Sequence, residues 1–272
     1  MSGTSNISRR ALLAGVAGAA GTVFTAGFAR AAADAYGELL ARYLVAASDG
    51  INRVDYAAWQ AAPADRQTLT AFIQAEGRRD PSQMPPAERF VYWTNLYNAL
   101  TLAVVLDAYP VRSIRDIKSK GRLLDPKSLF GPWRTKLVTV AGRRMSLDDI
   151  EHGALRAEFG DPRVHYAVNC ASLGCPNLLV RPWQAATLDA DLEAAARAYV
   201  NHPRGVTVVG AGRLKVSSLY KWYDEDFGGS DAGIVTHFRR YAAPPLADEL
   251  DGPVRIVDDG YDWSLNDASR PS

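Results

Sequence analysis

Cys170 and Cys175 are the only two cysteines in a chain of 272 residues, and they stand five positions apart in VHYAVNCASLGCP. His165 lies just upstream and Pro176 just downstream. A thiol beside an imidazole is the pair used in nucleophilic catalysis: the ring takes the proton and the thiolate attacks an electrophilic carbon. Cys170, at the end of an apolar run, is the expected nucleophile. If RVHYAVN is a strand, alternation sends His165 to one face and Cys170 to the other, which makes His152 the better base. Cys175 could be an N-cap if Pro176 opens a helical turn, and the dipole would then favour its thiolate. Two other chemistries fit the same residues. A Cys170–Cys175 disulfide is possible, although so small a loop gains less than the roughly 3 kcal/mol of a loop of about 15 residues. His152, His165, Cys170 and Cys175 are also zinc-type ligands, four in number, at a spacing that matches no familiar zinc motif. Zinc is the one cofactor these residues suggest.

Three further stretches carry polar groups on apolar faces. In SLDDIEHGALRAEF, Leu147, Ile150, Ala154, Leu155 and Phe159 form a helical arc, with Glu151 near its centre and His152 at its edge. A carboxylate aimed at a core must be paired or protonated. An arginine clamp would be structural, whereas orienting a catalytic histidine would be functional. In WTNLYN, Asn95 and Asn98 share a helix face. They either bond to loops inside the core or line a pocket, where Asn95 could steady an oxyanion. SSLYKWYDEDFGG packs four aromatics, a lysine and three acids before a glycine turn. It reads as an aromatic-stapled loop or as a pocket wall, with Lys221 or Asp226 touching a polar ligand. His202 reads as turn chemistry and His237 as an ordinary helix residue.

The elements that must position these groups follow from period and punctuation. DAYGELLARYLVAA predicts a first helix and DRQTLTAFIQAEGRR a second. Pro85 and Pro86 open a long helix that Pro110 closes. KLVTVAGRRMS predicts a strand and a turn. Ser146, with Asp149 three residues on, starts a helix to about Phe159 with a capping-box pattern. RVHYAVN predicts a buried strand, and a helix follows over about Leu188 to Val200. GVTVVGAGRLKVS predicts a hairpin turning at Gly210 and Gly212, SDAGIVTHFRRYA a helix, and PVRIVDD a last strand. The expectation is an α+β fold, a helix-rich N-terminal half packed on a small, mainly antiparallel sheet. No linker breaks residues 34–272, so they are expected to form a single domain.

The first 33 residues read as an address. Arg9 and Arg10 precede an Ala/Gly-rich apolar run, and small-residue cleavage sites follow Ala31 and Ala33. That is the layout of a twin-arginine export signal, and it predicts a periplasmic or secreted protein. Removing this leader, with its three arginines and no acid, takes the formal net charge from +1 to −2. So even a balance argues against nucleic acid or an anionic membrane as partner. No later stretch is long and apolar enough to span a bilayer, so no stable membrane insertion is expected after the signal is removed. A small molecule or an envelope peptide is the expected substrate class.

Taken together, VYWTNLYNALTL, SLDDIEHGALR, RVHYAVNCASLGCPNL, SSLYKWYDEDFG and the terminal YDWSLND resemble a family known as domain of unknown function 547. They occur in that family's order from Tyr56 to Asn266. The resemblance also extends to Asn95, Asn98, Glu151, His152, His165, Cys170, Ser172, Cys175 and Pro176. It implies a shared fold and a shared polar cluster, and it carries no activity. The leading expectation is therefore an exported thiol-dependent hydrolase or acyl/amide transferase. Cys170 would attack, His152 or His165 would act as base, and Glu151 would orient a histidine. Asn98, Ser172, Cys175, Lys221 and Asp226 would line the site. The alternatives are a non-catalytic periplasmic binding or assembly module stapled by Cys170–Cys175, and a zinc-binding protein.

Overall fold

A helix that is apolar on nearly every side must be surrounded, and Pro86–Ala108 is such a helix. The computed structural model describes residues 16–118 and 131–269; Arg9 and Arg10 of the expected leader lie outside them. Helix α1 (Val16–Tyr43) runs through the expected cleavage sites and stops four residues before the expected end at Ala47. Leu44–Ala46 instead forms β1, antiparallel to β2 (Asn52–Val54). Gly50, at φ 78°, makes the turn between them, and an Arg53–Asp49 ion pair closes it. Helices α2 (Tyr56–Gln60) and α3 (Pro63–Gly77) lead to α4 (Pro86–Ala108), with Pro86 at its first position.

Helix α4 joins two cores. Ala99, Leu102, Val105 and Leu106 pack with Tyr36, Leu40 and Trp59 from α1 and α2. Phe90, Trp93, Leu96 and Tyr97 pack with residues beyond position 140. There β3 (Val138–Val140) and β4 (Arg143–Met145) form a hairpin rather than a lone strand, turning through Ala141 and Gly142. Ser146 and Asp149 make the expected capping box. Helix α5 (Leu147–Ile150) then widens into a π-helical segment (Glu151–Arg156) before α6 (Ala157–Phe159) and the left-handed Gly160.

The expected strand RVHYAVN is not one. Asp161 and Pro162 start a new turn after Gly160, and α7 (Val164–Ala167) forms with Arg163 N–H bonded to the Asp161 carboxylate. The chain becomes extended only at Val168. Only Val164 and Val168 in this stretch are β-branched, which is too little to outweigh an Asp–Pro helix start. Pro176 opens no helical turn either; residues 176–179 are irregular.

Helix α8 (Leu188–Val200) precedes β5 (Val206–Gly210) and β6 (Arg213–Ser217). Then come α9 (Ser218–Trp222), a 3-10 turn (Asp224–Phe227), α10 (Asp231–Tyr241), α11 (Pro244–Leu250) and β7 (Arg255–Gly260). These last elements enclose a third core around Tyr199, Leu214, Tyr220 and Phe238. The fold is α+β, as expected, and among the described residues the strands are divided among three small sheets. The third has the order β5-β6-β7, with β5–β6 antiparallel and β6–β7 parallel. No helix among the described residues is long and apolar enough to cross a membrane.

The C-terminal segment acts as a strap. Gly174 N–H bonds to the Asp262 carbonyl, Leu173 N–H to Ser264, and Asn266 N–H to Ala171, while Val54 N–H bonds to Asn266. YDWSLND is thus threaded between β2 and the cysteine loop, and it fixes that loop through main-chain bonds.

Candidate active site

The cysteine loop is held from three sides. Asn98 on α4 donates to the Ala167 carbonyl (3.0 Å) and accepts from Asn169 N–H (2.9 Å). Asn169 in turn donates to the Pro176 carbonyl and accepts from Ala171 N–H, both at 2.8 Å. Ala171 adopts φ 60°, a left-handed conformation that costs a residue with a Cβ and persists only where surroundings enforce it. A Cβ on Gly174 would lie 2.9 Å from the Asp262 backbone, so the strap and the loop touch directly.

This framework turns both sulfurs into one cleft of about 920 Å³. Cys175 is buried at 4 % exposure and Cys170 is partly exposed; neither is in a disulfide. Cys175 Sγ accepts from Cys170 N–H and from the Tyr261 hydroxyl, each at 3.0 Å. Cys170 Sγ lies 3.2 Å from Ser172 Oγ and 3.2 Å from the Tyr261 hydroxyl. Burial pushes the Cys175 thiol up, but the Cys170 and Tyr261 donors outweigh it, and its pKa falls to about 7. Cys170 moves well above the ordinary thiol value, first through the neighbouring Cys175 sulfur and then through burial. The two donors on Cys175 Sγ favour its charged form over that of Cys170. Burial holds the Tyr261 phenol well above its usual range, so it stays a donor.

The opposite wall carries the acid and imidazole groups. Glu151, buried in the π segment, accepts from the Tyr97 hydroxyl at 3.0 Å, so its hydrogen-bond partner is a phenol rather than an arginine. His165 is 1 % exposed and stacks on Tyr223 at 4.1 Å between centroids. Its Nε2 lies 2.6 Å from Asp226, which Arg156 also grips at 2.5 and 3.0 Å. His165 and Arg156 hold the Asp226 carboxyl well below its ordinary value. Arg156 also donates to His152 Nδ1 at 3.0 Å. Among the described residues, neither histidine makes a hydrogen bond to a sulfur. The expected thiol–imidazole dyad is not formed, because His165 is committed to Asp226 and His152 to Arg156 and Asp148.

The other expected site residues fall as follows. Asn95 is bonded in both directions to the Trp183 backbone and does not line the cleft, so it cannot hold an oxyanion there. Asn98 and Ser172 shape the sulfur loop. Lys221 pairs with Asp231 on the surface, away from the cleft. The helical turn at 164–167 removes the strand alternation that set His165 and Cys170 apart, and both line the same cavity. Among the described residues, no group of three His, Cys, Asp or Glu side chains could hold a metal ion, so His152, His165, Cys170 and Cys175 do not form the zinc set.

Tyr261 and Tyr223 went unnoticed as site residues. Their signal was present, since both belong to stretches that carry the family resemblance, but nothing local marks a tyrosine as a partner of a distant thiol. Tyr261 also belongs to an aromatic wall at the cleft mouth. Its ring lies 4.7 Å from Trp263 and 4.8 Å from Trp222, which is 49 % exposed. Arg115 lies 5.2 Å over Trp263. Comparison with curated proteins returns no match, and comparison with solved structures returns none either. Residues 81–200, which carry α4, the π segment and the cysteine loop, match the family described as "Protein of unknown function, DUF547", and that part of the chain is similar to it.

Proposed function

We propose that this protein is an exported thiol-dependent hydrolase or acyl/amide transferase whose attacking sulfur is Cys175. The supporting observation is the pair of 3.0 Å bonds that Cys175 Sγ receives from Cys170 N–H and the Tyr261 hydroxyl at the wall of an open cleft. Donors that favour the charged form of a buried thiol prepare a thiolate. In this reading Cys170 serves Cys175 through its N–H. Sulfur attacks the acyl carbon, the bond to the leaving group breaks, and Tyr261 is placed to give that group its proton. Water or an amine then takes the acyl group from sulfur, and the proton returns to Tyr261. The aromatic wall of Trp222, Tyr261 and Trp263 would seat the apolar part of an envelope amide or small peptide. Export rests on Arg9, Arg10 and the apolar run that follows.

The test is site-resolved alkylation with iodoacetamide across pH, in wild type, Cys170→Ser and Cys175→Ser, alongside turnover of N-acyl amino-acid nitrophenyl esters. The expected result is labelling of Cys175 with an apparent pKa near 7, and ester turnover that Cys175→Ser abolishes. Equal labelling of both thiols, rising only near the ordinary value of about 8.5, would overturn the assignment.

A further inference from the structure

A hydrolase needs one sulfur in its cleft, and this cleft has two. They belong to a single loop, the Cys170 N–H donates to Cys175 Sγ at 3.0 Å, and one tyrosine hydroxyl touches both sulfurs, at 3.2 Å on Cys170 and 3.0 Å on Cys175. The loop between them is already bent back on itself: Cys175 N–H bonds to the Ser172 carbonyl at 3.1 Å, and Ala171 takes the left-handed turn. The strap holds Leu173 and Gly174 from the other side. Cys170 is the more exposed of the two, and both face the same opening. A buried structural pair of thiols would need no such access.

We infer that Cys170 and Cys175 form a dithiol centre that exchanges with substrate disulfides, cycling between the free pair and an internal Cys170–Cys175 disulfide. The Cys175 thiolate attacks one sulfur of a substrate disulfide, forming a mixed disulfide and releasing the other substrate sulfur as thiolate. Cys170 passes its proton to the departed substrate thiolate and attacks the Cys175 sulfur, which closes the internal disulfide and releases the second substrate thiolate. The substrate gains two electrons and the protein dithiol loses them. Return to the dithiol requires a thiol reductant, and a low-molecular-weight dithiol suffices.

The electrostatics fit this order of events. An attacking thiol works best when its pKa lies near ambient pH, and Cys175 is brought to about 7. The largest cause raising the Cys170 pKa is the neighbouring Cys175 sulfur. Once Cys175 is in a mixed disulfide, its negative charge is gone and that hold is released, so the resolving thiol ionises when it is needed.

The inference rests on Cys175 as nucleophile, and its test uses oxidised glutathione on the reduced full-length protein, with differential alkylation and mass spectrometry. Wild type is expected to give the internal disulfide in one step with no lasting glutathione adduct. Cys170→Ser is expected to trap glutathione on Cys175, and Cys175→Ser to react at least tenfold more slowly. Stable glutathione adducts on wild type, with iodoacetamide still labelling Cys175 near neutral pH, would overturn the exchange centre and leave the nucleophile standing. A Cys175 inert to both reagents would remove both.

Discussion

Replacing Tyr261 by phenylalanine removes one hydroxyl and keeps the ring that packs on Trp222 and Trp263. Cys175 Sγ then loses the 3.0 Å donor and keeps the Cys170 N–H. A hydrogen bond to a charged group is worth about 1.5–3 kcal/mol, which is about 1–2 pKa units. The thiol should move from about 7 to roughly 8–9. Two effects then oppose each other. At pH 7 the thiolate fraction falls about five- to fiftyfold, while each remaining thiolate becomes about three- to eightfold more nucleophilic as its basicity rises. Alkylation by iodoacetamide should therefore slow by about two- to sixfold at pH 7 and quicken by about three- to eightfold above pH 10, where both proteins are ionised. The two pH–rate curves must cross. A merely structural role for Tyr261 would shift the curve up or down without crossing. Parallel curves, or a variant that still titrates near 7, would refute the assignment of Tyr261 as a donor to the thiolate.

Two further predictions concern the scaffold. Ser146 and Asp149 satisfy each other's backbone N–H, so Ser146→Ala and Asp149→Asn should each cost about 1 kcal/mol in denaturant unfolding. In a double-mutant cycle the two losses should be less than additive, because both remove the same box. His237, whose ring bonds to the buried Tyr166 hydroxyl at 2.7 Å, has its pKa lowered to about 4 by burial and by Arg240. Between the unfolded value of about 6.5 and that folded value, the unfolded chain binds more protons. Stability should be whole above pH 6.5 and fall by about 3 kcal/mol as pH drops through 4. His237→Gln should flatten that fall, and a wild-type stability curve already flat between pH 6.5 and 4 would contradict it.

Much of the fold was legible because it depends on local punctuation. Pro86 and Pro110 bracket α4, Ser146 and Asp149 announce α5, and Gly210 and Gly212 mark the β5–β6 turn. The misread stretches were those where a short apolar run fits two periods. RVHYAVN has the composition of a buried strand, and only the Gly–Asp–Pro before it favours a helical turn. LVA after α1 could continue a helix, and its pairing with β2 is a tertiary choice. The π segment leaves no mark in the residues, yet it sets Glu151 against Tyr97 and Tyr223. The types of chemical group were readable, but their pairing was not. His152 or His165 was expected to serve a sulfur; the distant Asp226 holds His165 instead, and Arg156, one helical turn on, holds His152.

That difference bears on mechanism. An imidazole base activates a thiol by taking its proton, and its position must be accurate at the moment of attack. A thiol activated by fixed donors needs no proton transfer before attack, because the charge is already favoured in the resting site. The donors here are a main-chain N–H in a loop with a left-handed Ala171 and a phenol delivered by a strap more than eighty residues away. Neither can be placed by local structure alone. The strap's bonds to Ala171, Leu173 and Gly174, and Asn98's two bonds from α4, hold the loop in that conformation. The left-handed residue and the buried thiol each cost stability, of the order of 1–3 kcal/mol for the backbone. A site assembled this way keeps its thiolate only while the fold is complete, which couples the reactivity of Cys175 to the docking of YDWSLND.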